Sequence, residues 1–255
     1  MSRKIVLNTV AYQEILKENP RQAELIPEIK SLGIDHVEIR KEYLTRGEEE
    51  LKEIAAVAKE QQVTLYYSVP DETFIDSKVN PKLEEYFKEA AFLDAFQMKL
   101  TLGDLDKLTK QMAEQLNDCL HRFSTNLTIE NDQSLERGSA KRLKAFLEEA
   151  EGFGLTLGLT FDVANFVYLN ENPIESAKVL KPYVQYVHIK NVFKQDGKLV
   201  ATDMVSGDLD IKAILNEFPE SVPCAIEYSC GSESSIKQKI RDDKTEIQSW
   251  VPIEN

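Results

Sequence analysis

Residues 126–162 open with Asn126-Leu-Thr-Ile-Glu-Asn131 and close with Leu155-Thr-Leu-Gly-Leu-Thr-Phe-Asp162. Between these two runs lies a helical pattern over residues 134–153, stopped by Gly154. The flanking runs are short, apolar and β-branched, and each ends on a carboxylate. A strand, a helix and a second strand, with no hairpin turn between them, describe one step of a parallel sheet.

The same step repeats in both directions. Before it, strand patterns fall at 4–10, 36–40, 63–68 and 96–101, the third ended by Pro70. Helical patterns follow at 13–32 (interrupted by Pro20), 48–61, from Asn80-Pro81 onward, and 104–119. After it, a helix opens at Asn172-Pro173, with asparagine at the cap and proline at the first helical position. Strands then fall at 184–189 and 222–228, with helices at 211–218 and 235–247. Eight such units in 255 residues predict an α/β fold, a single (β/α)₈ TIM barrel with a parallel sheet, as one domain over residues 1–255. No G-x-G-x-x-G follows the first strand and no G-x-x-x-x-G-K-[ST] occurs, which argues against a dinucleotide fold or a P-loop.

In such a barrel the C-terminal strand ends converge on one mouth. Four strand patterns carry Glu130, Asp162, His188 and Glu227 at those ends. Three carboxylates and an imidazole form a mostly hard ligand set, so one divalent ion is expected there: Mn²⁺ first, with Mg²⁺, Co²⁺ or Zn²⁺ compatible. Side chains two apart on a strand share a face. Lys190 therefore points inward with His188, and Arg40 with Glu38. Arg40, Glu38, Lys190 and Lys99 are candidate substrate contacts, with a structural ion pair the competing reading for Glu38 and Arg40, and an extended strand-end lysine for Lys99.

These residues, in this order, resemble the xylose-isomerase-like TIM barrels. The resemblance runs along essentially the whole chain. It is carried by Val37-Glu-Ile-Arg, Ile129-Glu-Asn, Phe161-Asp, His188-Ile-Lys, Gly207-Asp-Leu-Asp and Ile226-Glu-Tyr. It implies that Glu130, Asp162, His188 and Glu227 hold one metal ion and that Glu130 and Glu227 double as catalytic acid and base. The implied activity is isomerisation or epimerisation of a small sugar or sugar phosphate through an enediolate. A lyase of the 3-dehydroshikimate dehydratase type is an alternative, and a catalytically silent sugar-binding barrel is another. Many epimerases of the family carry histidine where this chain has Asn165, and aspartate where it has Asn191. Asn165 is thus a candidate substrate contact whose chemistry differs from theirs. The endonuclease IV branch needs a histidine-rich site, and this chain has only His36, His121 and His188.

Composition narrows the partners. A net charge of −13 argues against nucleic acid, which requires a basic face. No apolar run approaches the roughly 18 residues of a membrane span. Cys119, Cys224 and Cys230 show no paired spacing, and Met1-Ser-Arg-Lys enters a strand pattern without a signal-peptide core, so a cytoplasmic protein is expected. A homo-oligomer is compatible with the chain. Tyr66, Tyr67, Tyr183 and Tyr186 are expected in packing layers, His36 and His121 at the surface, and Trp250 as an anchor for the last helix. Ser229 and the Gly231-Ser-Glu-Ser-Ser loop are a weak phosphate-site candidate.

Overall fold

Alternating strand and helix patterns become a closed barrel. The computed structural model describes residues 3–19 and 21–250. Pro20, where the first helical pattern was expected to break, and the ends of the chain lie outside the described residues. Eight parallel strands form the wall: β1 (Ile5–Asn8), β2 (His36–Arg40), β3 (Thr64–Ile75), β4 (Gln97–Gly103), β5 (Asn126–Glu130), β6 (Gly158–Asp162), β7 (Val184–Ile189) and β8 (Cys224–Ile226). Each pairs with the next, and β8 pairs with β1 to close the ring. The main outer helices are α1 (Gln22–Ser31), α2 (Glu48–Glu60), α3 (Leu83–Phe92), α4 (Lys110–Arg122), α5 (Ala140–Gly152), α6 (Pro173–Leu180), α7 (Ile211–Leu215) and α8 (Ile236–Ser249). None of the described helices is long and apolar enough to cross a membrane.

Period-two alternation divides the apolar residues into two cores. Leu7, Val37, Ile39, Ile129, Leu159, Val187 and Ile226 face outward and pack under the helices. Among the described residues the inner apolar cluster is Val6, Tyr66, Tyr186 and Ala225. Tyr66 and Tyr186 stack inside the barrel with ring centroids 5.0 Å apart. Around this plug the inner wall is polar. Thr128 and Thr160 hydroxyls meet at 2.7 Å, and Gln97 reaches Thr128 at 3.3 Å. Barrel interiors usually carry branched apolar layers, and here hydrogen-bonded Thr128, Thr160 and Gln97 stand in part of that space.

Three local expectations change. Strand β3 continues through Pro70, because a register shift between Ser68 and Glu72 spares proline a ladder bond. It then pairs with a two-residue strand, Lys78–Val79. The helical pattern at 134–153 breaks at Ser139, whose backbone is extended, leaving a short turn (Leu135–Gly138) before α5. The first helical pattern, by contrast, divides as expected, into Gln13–Glu18 and α1. After β7 an antiparallel hairpin, Asn191–Gln195 with Lys198–Thr202, turns at Asp196-Gly197, both with positive φ.

Asn191 ties this hairpin to the following loop. Its Nδ2 donates to the carbonyls of Met204 and Leu209, both at 3.0 Å, and its Oδ1 accepts from the amides of Val192 and Leu209 at 2.8 and 3.0 Å. Gly207 packs directly on it, and a Cβ there would meet Asn191 Oδ1 at 2.2 Å. Gly207→Ala therefore overpacks a fully bonded side chain. The expected result is a loss of about 1–3 kcal/mol in a denaturant titration.

Candidate metal centre

The four strand-end residues meet. One ligand atom from each of Glu130, Asp162, His188 and Glu227 lies within 4.8 Å of the others, and all four residues are buried. Glu130 ends β5, Asp162 ends β6, His188 lies on β7, and Glu227 sits one residue beyond β8. His188 Nδ1 is 2.7 Å from Glu130 Oε1 and 3.3 Å from Glu227 Oε2. Yet His188 Nδ1, Glu130 Oε1 and Asp162 Oδ2 make no aligned hydrogen bond. Ion-pair contacts with one another and with Lys190 are what offset the desolvation of these buried atoms among the described residues. A shared divalent cation is what three carboxylates and an imidazole nitrogen with inward lone pairs would satisfy, so the residues present fit that group.

Each carboxylate has its own cation. Lys99 bonds Glu130 Oε2. Arg40 Nη1 bonds Glu227 Oε1 at 3.0 Å. Lys190 Nζ contacts Asp162 Oδ2 and lies 3.3 Å from Glu227 Oε2. Burial alone would raise the Glu130 pKa, but Lys99 and His188 outweigh it and hold the group at about 2. Glu227 is also pulled well below the usual carboxylate range, since His188, Lys190 and Arg40 overcome its burial. Burial lifts Asp162 to about 6, against Lys190 and with help from Glu227 and Glu130. Burial would lower His188, but Glu227, Glu38 and Glu130 raise it well above its ordinary value.

A second layer holds these groups in place. Glu38, fully buried, lies beneath His188, with His188 Nε2 3.2 Å from its Oε1 and 3.0 Å from its Oε2. Glu38 Oε2 also accepts from Asn8 Nδ2 at 2.8 Å and from the Tyr186 hydroxyl at 3.0 Å. A carboxylate behind a ligating imidazole fixes its tautomer and aim. Asp162 is braced through Asn131: Asn131 Oδ1 accepts from the Asp162 amide at 2.8 Å, and Asn131 Nδ2 donates to the Asp162 carbonyl at 2.9 Å. Asp162 Oδ1 accepts the amides of Ala164 and Asn165 at 3.0 and 3.1 Å. Glu38→Gln keeps the volume and removes the charge behind His188. It is expected to weaken Mn²⁺ binding by about 10- to 100-fold in calorimetry, with Tyr186→Phe weakening it less.

No family model matches the chain. The uncharacterized protein YihM of Escherichia coli (strain K12) is 25% identical over 193 residues, which cover 72% of this chain and 57% of YihM. The match thus spans less than two thirds of that relative. Among solved structures, the IolI protein with a bound zinc atom superposes with a TM-score of 0.72 at 15% identity, over 96% of this chain and 98% of that one. The probable 3-DHS dehydratase AsbF from Bacillus anthracis gives 0.70 at 14%, over 95% and 98%. D-psicose 3-epimerase, solved in the presence of D-fructose, gives 0.67 at 14%, over 95% and 97%. The chain has the TIM-barrel fold of these structures. At these identities the likeness is one of fold.

Within this barrel the other candidates take distinct places. Lys99, Lys190 and Arg40 border the ligand set. Asn165 lies beside it with its polar ends engaged: Nδ2 donates to the Asn131 carbonyl at 2.8 Å, and Oδ1 accepts from Gln133 at 3.1 Å. Ser232 bonds Ser234 and Ser235 within its own loop at 3.0 and 3.3 Å. His36 is half-buried, edge-on to Tyr66, and His121 is exposed on α4. Asn8 and Asn131 were not among the expected site residues, and Tyr186, expected in a packing layer or as an aromatic wall for a sugar, bonds Glu38 instead. The signal for Asn131 lay within Ile129-Glu-Asn, and that for Asn8 in a polar residue ending an apolar strand.

Proposed function

We propose that this protein is a divalent-metal-dependent isomerase or epimerase of a small sugar or sugar phosphate. The observation that carries this reading is the buried set Glu130, Asp162, His188 and Glu227, with inward atoms lacking hydrogen bonds, at the barrel face where such folds place chemistry. The fold likeness to D-psicose 3-epimerase and to IolI with its bound zinc supports it. Glu130, Asp162, His188 and Glu227 would hold a divalent ion, which we assign as Mn²⁺, and it would supply Lewis-acid stabilisation of negative charge on the substrate oxygens.

The remaining steps belong to the side chains. Glu130 and Glu227 approach from β5 and from the loop after β8. One removes the proton on the carbon beside the substrate carbonyl, and the other returns a proton to the opposite face, which is epimerisation. Return to the neighbouring carbon is isomerisation. Lys99 and Arg40 each hold one oxygen of their glutamate and leave the other to face His188. A carboxylate so paired is a weak base in water, and exclusion of water by the bound sugar strengthens it. Lys190, the most exposed of the three cations, is the group placed to hold a substrate oxygen.

The test is solvent exchange. Mn²⁺-loaded protein is incubated in D₂O with ketopentoses, ketohexoses and their phosphates and followed by proton NMR. The expected result is deuterium at the carbon beside the carbonyl of one ketose, together with its epimer or aldose. A panel without exchange contradicts the proposal. A diene absorbance from a cyclic hydroxyketone acid would replace it with dehydration.

A further inference from the structure

We propose that Lys190 and the divalent ion compete for the same oxygens, so that ion binding moves the Lys190 ammonium out of the ligand set and into the mouth, where it takes an anionic oxygen of the substrate. This rests on the metal reading above.

The argument begins with which oxygen each cation uses. Lys99 bonds Glu130 Oε2 while Glu130 Oε1 faces His188 Nδ1. Arg40 bonds Glu227 Oε1 while Glu227 Oε2 faces His188 Nδ1. Both cations sit on the far oxygen and can remain when an ion is bound. Lys190 differs. It contacts Asp162 Oδ2 and lies 3.3 Å from Glu227 Oε2. Asp162 Oδ1 is already taken by the amides of Ala164 and Asn165. Oδ2 is therefore the oxygen Asp162 has to offer an ion, and Glu227 Oε2 is the one that faces His188. Lys190 thus rests on two of the four atoms that would hold the ion.

A hard divalent ion sits about 2.0–2.5 Å from its oxygen ligands. An ammonium on the same two oxygens would lie within about 4 Å of it, where like charges repel strongly even in a polar interior. One of the two cations must give way, and Lys190 has a way out. Its side chain is 19% exposed, against 6% for Lys99 and 15% for Arg40. It is a flexible stem with a compact charge, not a guanidinium locked between two carboxylates as Arg40 is between Glu227 and Glu42. Lys99 and Arg40 stay paired, so Lys190 is the cation released toward substrate.

The experiment uses metal-stripped full-length protein with Mn²⁺ as the probe. An amine-acylating reagent is applied with and without Mn²⁺, and each lysine is followed by mass spectrometry. Mn²⁺ is expected to speed Lys190 acylation by about fivefold or more, while Lys110, on an exposed helix face, stays constant. In calorimetry Lys190→Met is expected to bind Mn²⁺ about tenfold tighter than wild type. Unchanged or slower acylation of Lys190 in a wild-type protein that does bind Mn²⁺ overturns the proposal, and so does unchanged affinity in Lys190→Met. A wild type that does not bind Mn²⁺ overturns the metal reading and this proposal with it.

Discussion

Asp162→Asn is expected to weaken Mn²⁺ binding by about 100-fold or more, roughly 2.7 kcal/mol, while the barrel stays folded. The two oxygens of Asp162 do separate work. Oδ1 accepts the amides of Ala164 and Asn165, and an asparagine oxygen accepts them equally well. Asn131 holds the backbone of residue 162 from both sides, so the turn keeps its shape. Oδ2 faces the ligand set, and in the variant an NH₂ group stands there, presenting donors where an ion needs a lone pair. The loss thus falls on the ion. Calorimetry on the metal-stripped protein measures it, with far-UV circular dichroism as the check on folding. An affinity within threefold of wild type would remove Asp162 from the site.

Glu227→Gln is expected to cost about 10²- to 10⁴-fold in kcat even at saturating Mn²⁺, the usual range for a lost acid–base group. Arg40 still finds an oxygen, so the side chain keeps its place. What goes is the charge toward His188 and Lys190 and the ability to carry a proton. Saturation with Mn²⁺ separates the two losses. It restores ion occupancy and leaves turnover low, and the solvent-deuterium exchange falls with it. Glu38→Gln should behave in the opposite way. Glu38 is fully buried behind His188, so on the metal reading its defect is expected to disappear as Mn²⁺ is raised. Full recovery of Glu227→Gln at high Mn²⁺ would reduce Glu227 to a ligand alone.

The barrel was legible because its period is coarse. A β-branched run, a helix and a stop, repeated eight times, survive errors of a few residues at each boundary. The convergence of Glu130, Asp162, His188 and Glu227 was legible because a carboxylate or imidazole at the end of an apolar run of a barrel strand points to the common mouth. Depth along the barrel axis was not legible. Alternation shows that Glu38 and Arg40 face inward, but the stagger of neighbouring strands decides how high each one sits. Arg40 reaches the ligand set, and Glu38, two residues earlier, lies beneath His188. Tyr186, two residues before His188, falls to the same lower layer, and its hydroxyl meets Glu38 across the barrel. The hairpin after β7 was missed for a different reason. Asp196-Gly197 is a strong turn signal, and the expectation of a βα step masked it. Strand β3 outran Pro70 because a register shift, invisible in the sequence, removed the demand for its amide.

The most direct measurement is anomalous diffraction from crystals of the Mn²⁺-loaded protein. The account predicts one strong peak bounded by Glu130, Asp162, His188 and Glu227, at about 2.0–2.3 Å from each ligand atom, with His188 bound through Nδ1. No peak between these four residues, or a peak held by other side chains, would contradict it.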